Sequence, residues 1–468
     1  MNRRHFVKTS GLIAAISSLP AHTWLMASNK GSKLIKIKSV RSNFEREKLL
    51  RPFGFKGNYL TELWQTAVGL TSESGNKGFG LGTQSVLYGD ADLFASCSEV
   101  TGNAMMFELT KRALQCVQQT PFEDPIDLLE KIFDPVTDAA HEITGRKNIN
   151  PNFIYNALVS VDNAALMAYA AENGINSFDA LIPEHYKSSL SARHKKIAVM
   201  YQIPYAMPMN ELVRASELGY FVFKIKAGFP GSQEEMLRGD IGRLSLIHDT
   251  LKHKQTDQTA NGKLIYTIDA NGRYEKKETL MRYLDHAKKI GAFDQIQLFE
   301  EPFVESNNEY VGDTGVRIAA DESVHTEKDA IKRLDQGYSA LVLKGIAKTL
   351  SQSMKIARLA HQRKVITICA DLTVNPILID WHKNLCCRLQ SFPGIDMPMM
   401  ETNGDMNYVR WKEMVRFHPM YQASWTKAKN GVFELDDDFY RNSGGIFQSS
   451  AHYQELLENP INKNLLNI

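Results

Sequence analysis

Apolar and polar residues alternate from Lys33 to about Thr83, the period-two signature of half-buried strands. Gly54, Gly57, Gly75, Gly78, Gly80 and Gly82 interrupt the alternation, which predicts an antiparallel sheet broken by loops. The rhythm then shifts to three- and four-residue steps over 104–117, 126–133 and 155–173, as amphipathic helices require. Beyond about Lys195 it changes again. Short apolar runs at 197–201, 222–226, 264–269, 297–300, 316–321, 340–344, 365–370 and 395–400 predict strands. Helical patterns fill most of the intervals between them, at 210–218, 234–251, 277–290, 328–335 and 351–362.

A sheet followed by helices, and then eight strands alternating with helices, predicts an α+β capping domain followed by a modified TIM-type (β/α)7β barrel. The expected units are 33–190 for the cap, 195–402 for the barrel, and 403–468 for a C-terminal segment packing on both. No Gly-x-Gly-x-x-Gly follows any of these strands, which counts against an open dinucleotide-binding sheet. No cofactor-binding residues of that kind are assigned.

Composition narrows the partners. With 468 residues, 43% of them hydrophobic, the chain can bury a substantial core in two or three domains. Its 55 basic and 53 acidic residues leave a net charge of +2, too little to attract nucleic acid or an anionic membrane. A small-molecule carboxylate is the expected partner, and assembly as a homo-oligomer is compatible with the chain. Five cysteines without C-x-x-C spacing indicate neither a disulfide framework nor a zinc site.

The amino terminus reads separately. Arg3-Arg4-His5-Phe6-Val7-Lys8 precedes a short apolar run over 11–19, which resembles a twin-arginine export signal. Residues 1–28 are therefore expected to be a cleaved leader. The mature protein would be periplasmic, without stable membrane insertion after cleavage.

The candidate chemistry lies where the barrel strands end. In a parallel barrel the carboxyl ends of the strands converge on one face, however distant they are in sequence. Successive strands here finish in Lys224-Ile-Lys226, Asp269-Ala-Asn271, Glu300-Glu301-Pro302, Asp321-Glu322-Ser323 and Lys344-Gly345. Burying an unpaired ionised group costs several kcal/mol, so this set needs a common explanation. Three carboxylates around a hard divalent cation supply one. Oxygen-only ligation suits a single Mg²⁺, Mn²⁺ would satisfy the same donors, and the absence of His or Cys argues against zinc.

Taken together, these five motifs in this order resemble the enolase superfamily, and within it the muconate-lactonizing-enzyme and dipeptide-epimerase group of the mandelate racemase/muconate lactonizing enzyme proteins. The resemblance implies an enolase-like fold, with Asp269, Glu300 and Asp321 as metal ligands at the ends of the third, fourth and fifth barrel strands. It also implies Lys226 and Lys344 as acid and base on opposite faces of the substrate, with Lys224 tuning the field around Lys226. Glu301 is expected to pair with a cation elsewhere, and Glu322 to support the ligands.

The implied chemistry is removal of a proton next to a carboxylate to give an enediolate. That most readily serves an isomerase, an epimerase or racemase acting on a dipeptide or amino-acid derivative. Alternatives on the same site are a sugar-acid or hydroxy-acid dehydratase and a cycloisomerase; a non-catalytic binding protein of this fold is the third reading. Dipeptide epimerases carry a D-x-D on the last barrel strand, and Gly394-Ile395-Asp396 matches only its second Asp. Asp396, Asp371, Asn271 and Phe55 are accordingly the expected substrate contacts. Ile366–Asp371 lacks the His of a mandelate-racemase-like dyad. The segment from Phe53 to Gly57 matches either a loop closing over substrate, as in the family, or an ordinary β-turn.

Overall fold

The computed structural model describes residues 33–459, so the expected leader lies outside the described residues. The cap opens with an antiparallel sheet of β1 (Ile37–Phe55), β2 (Asn58–Ser72) and β3 (Lys77–Gln84). Lys56 and Gly57, with φ of 47° and 80°, close the β1–β2 hairpin in the left-handed region that a two-residue type I′ turn needs. After two short helical turns, Val86–Gly89 and Ala91–Ser96, three long helices follow: α1 (Glu99–Gln119), α2 (Pro125–Thr144) and α3 (Pro151–Asn173). Each starts on a side-chain cap, from Ser98, Asp124 and Asn150, and the last two add Pro at the first turn.

The glycines of β3 have a different role from the one expected. Gly78, Gly80 and Gly82 sit inside the strand, not in loops. A Cβ on Gly78 would fall 2.2 Å from the carbonyl oxygen of Ala164, and one on Gly80 would fall 2.1 Å from that of Ser160. The stripe lets α3 lie directly on the sheet, which is why α3 is buried nearly all round.

The barrel consists of β4 (Lys196–Ile203), β5 (Val222–Lys226), β6 (Ile265–Asp269), β7 (Ile296–Glu300), β8 (Ile318–Ala320), β9 (Ala340–Leu343), β10 (Ile366–Cys369) and β11 (Met399–Glu401). All neighbours are parallel and β11 pairs back to β4, so the ring of eight closes. Six connections carry helices: α4 (Met209–Glu217), α5 (Gln233–Leu251), α6 (Lys277–Lys289), α7 (Glu327–Asp335), α8 (Leu350–Arg363) and α9 (Pro376–Cys386). The β7–β8 connection has none and crosses as a loop. Strand ends match the sequence pattern closely except at β11, which starts at Met399 instead of Ile395.

Beyond the barrel, α10 (Trp411–Phe417), β12 (Val432–Glu434) and α11 (Ala451–Glu458) wrap the outside. β12 pairs antiparallel with the first half of β4. Gln65 of β2 ties the cap to this assembly: its Nε2 donates 2.8 Å to the Tyr408 hydroxyl and its Oε1 accepts 3.0 Å from Asn375. On the other flank Asp162 of α3 accepts from the backbone N–H of Ser351 at 3.0 Å, filling the first turn of α8. Among the described residues no helix is long and apolar enough to cross a membrane.

A buried acidic pair marks the contact between α11 and the cap. His452 stacks on Phe417 and approaches Glu45 Oε2 at 2.8 Å, while Glu47 lies 3.3 Å from Arg410. Burial pushes the Glu47 carboxyl up from 4.5 to about 7, and Arg410 offsets only part of that. As pH rises from about 4.5 to about 7, the unfolded chain ionises this group while the folded protein retains its proton. Stability is therefore lost over that window. Glu47→Gln is expected to gain on the wild type across it, by on the order of 3 kcal/mol at most, in urea unfolding at pH 5 and pH 8. A constant difference between the two pH values would contradict the assignment.

Candidate active site

The pleat of β5 sends Lys224 and Lys226 to one side, and both are buried in the barrel mouth. Across the parallel register Lys226 faces Asp269, and Asp269 faces Glu300. Asp321 follows β8 directly and Lys344 follows β9. All six expected metal and acid/base residues thus reach one face of the ring.

They meet as a dense ionic network. Lys224 Nζ lies 2.8 Å from Glu300 Oε2, 3.0 Å from Glu401 Oε2 and 3.1 Å from Asp269 Oδ2. Lys226 donates to Asp269 Oδ2 at 2.6 Å and to Asn271 Oδ1 at 3.1 Å. Lys344 Nζ is 2.5 Å from Asp321 Oδ2. Burial alone would raise the carboxyls and lower the lysines, yet the pairing decides most of them. Asp269 is held well below the usual range by Lys224 and Lys226, and Asp321 is pulled down to about 2, chiefly by Lys344. Glu300 goes the other way, because burial and the neighbouring Asp269 outweigh Lys224.

Lys224 therefore does more than the expected tuning of the field around Lys226. Desolvation works to lower Lys224, but Asp269, Glu300 and Glu401 together hold it well above its ordinary value. Lys344 is likewise raised by Asp321 against its burial. Tuning by a like charge is thus subordinate here to three surrounding carboxylates.

Glu301 takes a left-handed backbone, φ 38°, and its carboxylate turns back to accept the backbone N–H of Asp321 at 2.6 Å. It anchors the neighbouring strand end and does not pair with a distant cation. Asn271, also left-handed at φ 46°, passes its amide to Glu322 Oε1 at 3.0 Å. Asp371 spends Oδ1 on the N–H groups of Leu372 and Val374, and Oδ2 on that of Asn403. Burial and Glu401 push its carboxyl up to about 6.

Asp396 needs correction. It precedes β11, is exposed, and lies in a turn whose Gly394 carbonyl accepts from Ala260 ahead of β6, so it sits at the opposite, amino-terminal end of the barrel. The end of the last strand is Glu401-Thr402-Asn403, where Glu401 binds Lys224 and accepts from Gln202 Nε2 at 2.8 Å. Gln202 lies one residue beyond the apolar run read at 197–201 and was missed, because β4 continues to Ile203. Lys348, one helical turn beyond Lys344, was also missed; it donates to the carbonyls of Asp321 at 2.5 Å and Val324 at 3.0 Å.

The cap closes the mouth. Phe55, at the β1–β2 hairpin tip, has its ring centroid 5.9 Å from Lys226 Nζ, and Tyr88 lies 5.0 Å from Lys344 Nζ. Between them a cavity of about 40 Å³ is lined by Lys226, Lys344, Asp269 and Glu401 on the barrel side. Phe53, Leu60 and Leu63 extend the cap wall.

Residues 209–415 match the family described as Enolase C-terminal domain-like. The match takes in seven of the eight barrel strands. Solved structures of enolase-superfamily proteins share the whole arrangement of cap and barrel. A dipeptide epimerase from Enterococcus faecalis V583, complexed with Mg and the dipeptide L-Leu-L-Tyr, superposes with a TM-score of 0.59 at 16% identity, covering 86% of this chain and 97% of that one. An N-succinyl Arg/Lys racemase from Bacillus cereus gives 0.60 at 13% identity over 86% and 93%. L-talarate dehydratase from Polaromonas sp. JS666, complexed with Mg and L-glucarate, gives 0.54 at 16% over 81% and 88%. These likenesses establish the enolase-like fold. A search of curated proteins gave no match.

The donor chemistry fits a hard divalent cation. Both Asp321 carboxylate oxygens and Oε2 of Glu300 are buried without a well-directed hydrogen-bond donor, leaving acceptor capacity on adjacent strands. Among the described residues no three ligating side chains yet close around one point, because the ammonium groups of Lys224, Lys226 and Lys344 supply the countercharge.

Removing one of those cations should make the protein depend on a metal. Lys224→Met is expected to cost about 3–5 kcal/mol in EDTA, as for a broken buried pair. Mg²⁺ should raise its melting temperature more than that of the wild type. Equal Mg²⁺ responses in the two proteins would count against Asp269 and Glu300 as ligands.

Proposed function

We propose that the protein removes the proton from carbon adjacent to a carboxylate and returns one to the opposite face, epimerising or racemising a dipeptide or amino-acid derivative. The placement of Lys226 and Lys344 carries this reading: β5 and β9 stand four apart in a ring of eight, and both lysines line one cavity together with Asp269.

Asp269, Glu300 and Asp321 would hold Mg²⁺, which when bound supplies Lewis-acid stabilisation to the two negative charges of an enediolate. The neutral amine of one lysine takes the α-proton, and the electron pair stays on the enediolate. The ammonium of the other lysine delivers a proton to the far face, so configuration inverts with no change in oxidation state. Lys224, fixed among three carboxylates, adds positive potential and moves no proton. Phe55 and Tyr88 keep water from the two lysines.

The same groups would also serve β-elimination from a sugar acid. Phe53, Phe55, Leu60, Leu63 and Leu372 make the wall of the cavity apolar, which favours an amino-acid side chain over a polyhydroxylated acid.

Incubation with Mg²⁺ and L,L-dipeptides in D₂O, followed by NMR, tests the reading. Lys344→Ala should slow interconversion about 10²–10⁴-fold yet retain α-deuterium incorporation for the isomer served by Lys226, and Lys226→Ala should do the reverse. Absence of exchange with every dipeptide in the wild type, or identical behaviour of both isomers in the two variants, would sink it.

We also place the mature protein beyond the cytoplasmic membrane, on the strength of Arg3-Arg4 and the apolar run behind them. Replacing both arginines by lysine should retain the chain in the cytoplasmic fraction. An unaltered distribution discards this placement.

A further inference from the structure

A second cavity, about 330 Å³, lies outside the barrel wall between β4, α9 and the segment that wraps past α10. Its size is at the lower end of the range for small-ligand sites. It is separate from the active site: Glu401 and Asn403 line the barrel mouth, whereas Thr402 and Asp405 line this cavity.

Its walls are aromatic. Tyr201 and Tyr220 meet with ring centroids 4.8 Å apart, and Trp411, Tyr421 and Phe433 complete the surround. Three buried polar side chains on one side are matched among themselves. Asp380 lies 2.8 Å from Lys383 Nζ through one oxygen and 2.8 Å from His418 Nε2 through the other. Lys383 also donates to the Trp425 carbonyl at 2.8 Å and rests 3.9 Å from the Phe433 ring centroid. The backbone N–H of Met420 donates to His418 Nδ1 at 2.9 Å, so that nitrogen holds a lone pair and the proton sits on Nε2, towards Asp380. Asp380 thus has partners of its own on both carboxylate oxygens.

Asp405 is different. No cation lies within ion-pair distance of it among the described residues, although the exposed Lys427 also lines the cavity. Asp405 is exposed to solvent; the protein packed around it still pushes its carboxyl above the usual range, and the N–H groups of residues 405 and 406 oppose this. Its field is felt by Tyr201 and Tyr220. An unmatched carboxylate beside aromatic faces is the arrangement that attracts an organic cation, because the ring quadrupole and the carboxylate act in the same direction.

We propose that this cavity is a binding site for a small organic cation, an ammonium carrying apolar substituents, seated against Tyr201 and Tyr220 with Asp405 as its counterion. Isothermal titration of the full-length protein with choline, with Trp411 fluorescence as a second readout, tests it. Choline should bind saturably, and 3,3-dimethylbutan-1-ol, its neutral isostere, at least about tenfold more weakly. Asp405→Asn should weaken choline about tenfold or more while preserving the thermal transition, and Tyr201→Leu should weaken it as well. Lys226→Ala should leave choline binding unchanged, which separates this site from the proton-transfer site. Equal binding of the neutral isostere, an unaffected Asp405→Asn variant, or no saturable signal up to the solubility of choline would overturn the proposal.

Discussion

Three carboxylates at the ends of neighbouring strands repel one another, and an apolar barrel core gives them no water to share. Asp269, Glu300 and Asp321 can be buried together only because Lys224, Lys226 and Lys344 are buried among them. Much of the surrounding architecture serves that balance. Glu301 gives up a relaxed backbone to clamp the Asp321 N–H, Lys348 holds the carbonyls of the same loop, and Glu401 with Gln202 keeps Lys224 from drifting to one partner. The result is a cluster whose charge is nearly matched but whose oxygens are incompletely satisfied, a state that favours exchange of one cation for another.

The cap completes the electrostatics by excluding water. It reaches the barrel through two aromatic rings, Phe55 of the hairpin beside Lys226 and Tyr88 of a short helical turn beside Lys344, and its orientation is set well away from them. Gln65, Tyr408 and Asn375 fix one flank, and Asp162 at the start of α8 fixes the other. The glycine stripe of β3 matters here because it brings α3 close enough for Asp162 to reach α8 while α3 still covers the sheet.

Strand ends were the most legible part of the sequence, since a charged residue closing an apolar run is conspicuous and costly unless used. Lys226, Asp269, Glu300, Asp321 and Lys344 all read that way and all reach one face. Position along a run was harder. Asp396 resembled part of a motif, but the turn at Gly394 delays β11 to Met399 and leaves Asp396 at the wrong end of the barrel, while Glu401 takes the inward place. Residues whose importance depends on another domain gave little signal. Tyr88 sits in a short helical turn of the cap, and nothing nearby in sequence announces its approach to Lys344. Glycine was ambiguous for a related reason: a loop and a close helix–strand contact ask for the same residue, and only packing separates Gly57 from Gly78 and Gly80.

The space left between the hairpin tip and the barrel mouth has a kinetic meaning. A cavity of about 40 Å³ holds water but not a dipeptide, so one arrangement of the cap cannot serve both admission and reaction. On the proposed reaction, turnover would take two strokes, the β1–β2 hairpin lifting to admit substrate and resettling over it. The two-residue turn at Lys56 and Gly57 would then enter the rate, and solvent viscosity with it.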